Sequence, residues 1–186
     1  VGNIFRSTLS NNFADDDAGG IYVEDGDLTI TSSTIAYNDA TNNDGGGIFN
    51  DGGTVTLSNT IVAKNDSGQS DDIAGIITSD DFNIIKKKGS ATFVAQANDL
   101  VNKDPKLDNL DSVAGYTTQI HTLKAGSQAD GVGINGMDMG VTADLAPVIN
   151  NIEGETLAYT ENDGAVVIDQ GGDSTATDAD SWNFDG

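Results

Sequence analysis

Residues 45–66 read GGGIFNDGGTVTLSNTIVAKND: three glycines before an aliphatic residue, two more after it, then a β-branched run that closes on asparagine. The same phrase returns along the chain. Aligning STLSNNFADDDAGGIYVEDGDLTI with STIAYNDATNNDGGGIFNDGGTVTL and NTIVAKNDSGQSDDIAGIITSDDF puts Thr8, Thr34 and Thr60 in one column, 26 residues apart. Beside it run Leu9, Ile35 and Ile61, and then Asn12, Asn38 and Asn65 with a slip of one residue. A period of this length signals a stack of structural repeats, which cannot be read one element at a time.

Within each repeat, apolar residues alternate with Thr and Ser, as in LTIT (28–31) and TVTL (54–57). This is the period of strands with one face inward. Helical solenoids are excluded by it, and propeller blades need about 40 to 50 residues each. A parallel β-helix fits: each coil supplies about three short strands, and coils stack roughly 4.8 Å apart with like residue on like residue. Glycine serves the turns and close approaches, and asparagine bonds its own backbone at corners and ladders along the stack. The expected class is all-β.

Composition narrows the partners. Eight basic residues against thirty acidic give a net charge of −22 over 186 residues, which argues against nucleic acid and anionic lipid, since both need Lys and Arg. There is no cysteine, so disulfides and thiolate metal sites do not arise. No apolar run approaches the ~20 residues that span a bilayer, so no membrane insertion is expected of this piece. The first residues, VGNIFRSTLSNN, lack the layout of a signal peptide, and both ends read as cuts from a longer protein.

The repeated phrase STI..N...GGGI.N.G.TVTL.NT resembles bacterial extracellular right-handed parallel β-helix proteins, relatives of the pectate-lyase-like superfamily and of polymorphic outer-membrane adhesins. NTIVAKNDSGQSDDIAGIITSDDFNII (59–85) looks like the last regular coil of the choice-of-anchor Q group. DPKL (104–107), IHTLKAGSQADGV (120–132) and MDMG (137–140) look like that group's next segment, although Gln128 stands where a proline is usual. The resemblance implies β-helix coils over 1–82 and a closing segment over 83–140, covering the open end of the last coil with Phe82, Phe93, Leu100, Leu107, Leu110, Tyr116 and Leu123. It further implies an extracellular or cell-surface location. After a linker at 141–147, residues 148–186 resemble the opening strands of a cadherin-like, immunoglobulin-like sandwich, truncated against the ~100 residues such a module needs.

Candidate sites emerge from the residues and the resemblance together. Asp71/Asp72 and Asp80/Asp81 are acidic pairs of the kind a polysaccharide hydrolase uses, but they sit beside Ser and Gly where Asp is favoured for turns. A lyase base would be Arg or Lys, and the coils offer Arg6 and Lys64 before the triplet Lys86, Lys87 and Lys88. No catalytic residue is therefore assigned. His121, the single histidine, reads as a packed or hydrogen-bonded residue of the closing segment. Lys86 to Lys88 read as a solvated turn. Neither the calcium nonapeptide nor an EF-hand loop is present. Glu161, Asp163, Asp178 and Asp180 resemble the acidic positions of cadherin-like modules that ligate calcium between domains. The function implied is a non-enzymatic stalk or adhesin surface for extracellular polysaccharide or cell-surface glycan, continuous with further domains of the same chain. The alternative is a polysaccharide-active enzyme whose working coils lie upstream.

Overall fold

The computed structural model describes residues 1–42, 44–69, 72–113 and 116–141, together with the backbone of strands at 148–150 and 175–177. Two compact units divide the chain, Val1–Ala143 and Asp144–Gly186.

The first unit is a parallel β-solenoid of about three turns. Its longest sheet stacks Gly2–Phe5, Asp27–Thr31, Ile48–Ser58, Ile73–Ser79 and Thr92–Val94, with Ile21–Val23 also pairing to Ile48–Ser58. A second sheet stacks Thr8–Ser10, Thr34–Ala36, Ile61–Ala63, Ile84–Ile85 and Leu100–Val101. The third holds Phe13–Ala14, Asp39–Ala40 and Asp66–Ser67. All pairing in these sheets is parallel. The only helical element among the described residues is a 3-10 turn at Ile134–Gly136.

Alternation puts Ile30, Ile48, Val55, Leu57, Ile73 and Ile77 of the long sheet against Ile35, Val62 and Ile85 of the second. These side chains are essentially fully buried. Burial of this kind stabilises by about 1.5–3 kcal/mol per large aliphatic side chain.

The coils are not of one length. Asn12 bonds Asn38 across 26 residues and Asn38 bonds Asn65 across 27. Thr60 bonds Asn83 across 23, and Asn83 bonds Asp99 across 16. The extra residue of the second interval lies between the paired positions Ala14/Ala40 and Ile21/Ile48, where ADDDAGG becomes ATNNDGGG. Gly45 takes φ +66 there, and a Cβ on Gly46 would overlap the Asp66 carbonyl of the next coil. The triple glycine thus absorbs an insertion where two coils touch.

That insertion corrects one column. Thr34 pairs with Ile61 and Ile35 with Val62, so Thr60 does not continue the column of Thr8 and Thr34. It belongs with Ser7 and Ser33: each of the three hydroxyls donates to the carbonyl two residues before it, Phe5, Thr31 and Ser58 respectively. The asparagine column carried the true register.

Parallel pairing also runs on past residue 82. Ile84–Ile85 pairs with Ile61–Val62, and Leu100–Val101 pairs with Ile84–Ile85. Beyond these strands the chain does not simply cover the last coil. Leu107–Asp111 and Ile120–Leu123 form an antiparallel pair. Leu107, Ala129 and Met139 then pack with Ala36, Ile61, Ala63 and Ile84, on the outer side of the second sheet. This sheet is buried on both faces. In the second unit, Val148–Asn150 pairs antiparallel with Thr175–Thr177; the rest of the expected sandwich strands lies outside the described residues.

Candidate functional surfaces

Polar columns along the stack determine which side chains are free for chemistry. Asn38 Oδ1 accepts from the backbone N–H and Nδ2 of Asn12 at 3.0 and 2.8 Å. Asn65 Oδ1 accepts the same two bonds from Asn38 at 3.0 and 2.9 Å. Asn65 in turn donates its N–H and Nδ2 to Asp72 Oδ1 at 2.9 and 3.0 Å. Asp72 Oδ2 receives the Lys87 N–H at 2.6 Å, joining the ladder to the next coil. A carboxylate suits this end because both oxygens accept, whereas an amide would set a donor against one N–H. Burial pushes the Asp72 carboxyl up to about 6, against the opposing pull of the N–H bonds from Asn65 and Lys87. Asp72 is fully buried.

His121 fastens the flank. Its Nδ1 lies 2.8 Å from the Asp108 carbonyl, which can only accept, so Nδ1 carries the proton. Nε2 accepts from Ser10 Oγ of the first coil at 2.8 Å. The ring packs on Tyr37 with centroids 5.0 Å apart. Burial is the main force lowering the imidazole pKa and keeping the ring neutral. Asn59 reinforces the attachment by accepting from the Ile134 N–H at 3.2 Å, and Thr34 Oγ1 accepts the Val141 N–H at 3.0 Å.

Several of the other acidic and basic candidates are also engaged. Asp81 accepts from Phe82 N, Asn98 N and Asn98 Nδ2 at 3.0, 2.8 and 2.6 Å, which makes it a loop fastener. Asp80 is exposed and Asp71 lies outside the described residues. Lys86 pairs with Asp104 at 3.7 Å, and Lys88 Nζ donates to the Ala91 carbonyl at 2.6 Å. Among the described residues no three His, Cys, Asp or Glu side chains are grouped to hold a metal. Glu161, Asp163, Asp178 and Asp180 fall outside the described residues. No helix among the described residues is long and apolar enough to cross a membrane.

Among the described residues two outward patches of the long sheet stand out. On one, Tyr22 and Phe49 of neighbouring coils meet edge to face at 5.5 Å, and the Tyr22 hydroxyl donates to Asp51 at 2.8 Å. That bond is the chief reason the phenol is pushed up to about 12. On the other, threonines on the outer face of the long sheet stand in register, Thr29 beside Thr56 and Thr56 beside Thr78.

The flank contact was the part that repeat alignment missed. Its signal was present in IVA (61–63) and II (84–85), unbroken apolar runs of the kind found where strands are covered on both faces. No family model, curated protein or solved structure matches the chain.

Proposed function

We propose that this chain is part of an extended, non-enzymatic stalk or adhesin of a large secreted or surface-attached bacterial protein, related to the choice-of-anchor Q and pectate-lyase-like β-helices, whose outer faces meet extracellular polysaccharide or cell-surface glycan. The observation that carries this reading is the occupation of the polar groups. Asp72, Asp81, His121 and Lys88, which an enzyme of this architecture would have to free for substrate, are spent on backbone atoms and on joining coils. A solenoid built this way keeps long side faces in fixed register, which suits repeated weak contacts along a polymer.

Calcium belongs to the proposal through Glu161, Asp163, Asp178 and Asp180. Calcium takes six to eight oxygens, so these four carboxylates would need backbone carbonyls and a neighbouring module to complete a shell. Calorimetric titration with neutral and uronic-acid polysaccharides, in calcium and in chelator, tests the whole reading. Binding without chain cleavage supports it, and loss of binding in chelator ties the site to those carboxylates. Release of shorter chains would move the protein among polysaccharide-active enzymes.

A further inference from the structure

We propose that the outer face of the long sheet binds the surface of ice. Between Gly2–Phe5 and Thr92–Val94 the inward positions are mostly aliphatic, with Phe93, Asn50 and Ser79 among them, so the alternate residues form the outer face. Six of these are Thr29, Thr31, Thr54, Thr56, Thr78 and Thr92. Register arranges them in two dimensions. Thr29, Thr56 and Thr78 form one column, Thr31 stands in a second between exposed Phe5 and buried Ser58, and Ile76 stands beside Thr92 in a third with Thr54 one coil away.

Their hydroxyls differ from the others in this solenoid. Ser7, Ser33, Ser58 and Thr60 each donate to a backbone carbonyl. None of the six threonine hydroxyls is engaged by the protein among the described residues. They are held in place by the backbone and left for water.

The spacing fits solid water. Hydrogen-bonded waters lie about 2.75 Å apart, so two oxygens bonded to one tetrahedral neighbour are roughly 4.5 Å apart. Hydroxyls on successive coils repeat at about 4.8 Å, and alternate residues along a strand at roughly 6.7 Å. Water seated on the columns therefore inherits a lattice close to its own, and the threonine methyls beside it restrict water orientation without competing for hydrogen bonds.

Charge selects a neutral occupant. Thirty acidic residues are spread over the chain, yet within the strands these three columns carry one carboxylate, Asp27, at the margin of the array; exposed Asp80 follows Ser79 at another edge, and exposed Asp51 lies farther along Ile48–Ser58. Exposed Ile76 and Val94 extend the uncharged surface. A polysaccharide is the other neutral candidate, but sugar rings stack on aromatic faces, and the one aromatic in these columns, exposed Phe5 beside Thr31, stands at the first-coil edge of the array. The glycan reading covers the outer faces in general; this inference assigns the threonine face to ice, and the test below separates the two.

The test is ice-recrystallisation inhibition and thermal hysteresis of the purified chain, with Thr56→Lys at the centre of the array, Thr78→Lys as a second variant and Thr117→Lys as a control on an exposed loop. The expected result is inhibition by the parent chain, kept by Thr117→Lys and lost by the two array variants, with melting temperatures matched to the parent. Absence of inhibition by the parent chain overturns the proposal, as does undiminished inhibition by a folded Thr56→Lys or Thr78→Lys chain. Retention on an insoluble neutral polysaccharide, abolished by Thr56→Lys and without any effect on ice, assigns the face to glycan instead and overturns it too.

Discussion

Ser10 Oγ and His121 Nε2 lie 2.8 Å apart although 111 residues separate them in sequence. The bond ties the first coil to the segment beyond the last one. Ser10→Ala leaves a buried imidazole nitrogen unsatisfied, and the expected destabilisation is about 1–3 kcal/mol in chemical denaturation. His121→Ala removes the ring's packing on Tyr37 as well and is expected to cost more.

The same histidine gives stability a pH dependence. Its folded pKa is lowered, chiefly by burial, so below the ordinary value of 6.5 the unfolded chain binds the proton more readily. This contribution is present in full above pH 6.5 and is lost as pH falls through that value toward the folded pKa. His121→Gln is expected to remove this component from a denaturation series across pH 5 to 7.

Asp72 acts with the opposite sign. Its folded pKa of about 6 exceeds the unfolded 3.8, so the folded state holds the extra proton between them. Stability from this group is complete below pH 3.8 and declines as pH rises from there through 6. Asp72→Asn is expected to flatten that slope while losing an acceptor for the Lys87 N–H. An unchanged slope in the variant would assign the pH dependence elsewhere.

Position along the asparagine ladder grades the cost of removal. Asn38 is buried, accepts two bonds from Asn12 and donates to Asn65 and to the Leu9 carbonyl. Asn12 sits exposed at the end of the ladder. Asn38→Ala is therefore expected to cost about 2–4 kcal/mol, from several unsatisfied groups at once, and Asn12→Ala well under half of that.

Stacking like on like carries a penalty where the residue is charged. Asp39 and Asp66 pair directly in the third sheet, both exposed. Asp66→Asn keeps an acceptor for the Ser67 N–H and is expected to stabilise by roughly 0.2–1 kcal/mol at low ionic strength. The gain should shrink as salt screens the pair.

Much of the solenoid was legible in the sequence because its rules are local and repeated. Alternation named the strands, and glycine with asparagine marked the corners. The misplacement of Thr60 arose because Thr34 and Thr60 look alike at a spacing of 26, while the register is set by one inserted residue far away in the glycine turn. Asn65 recorded that insertion, since a buried side chain in a ladder cannot slip without losing its bonds. The flank contact was harder to read. Leu107, Ala129 and Met139 look equally suited to cover the end of a coil or its side. Only the apolar outer face of the second sheet distinguishes the two. His121 was legible as a packed residue, but its partner Ser10 could not be found by spacing, because nothing periodic connects them.

Proton NMR of the lone imidazole tests the lateral closure most directly, since His121 is the only histidine and its resonances assign themselves. With the ring seated on Tyr37, nuclear Overhauser contacts to the tyrosine ring and a titration midpoint below 6.5 are expected. An imidazole that titrates at its ordinary value and makes no contact with Tyr37 would mean that the segment after the coils does not lie along their flank.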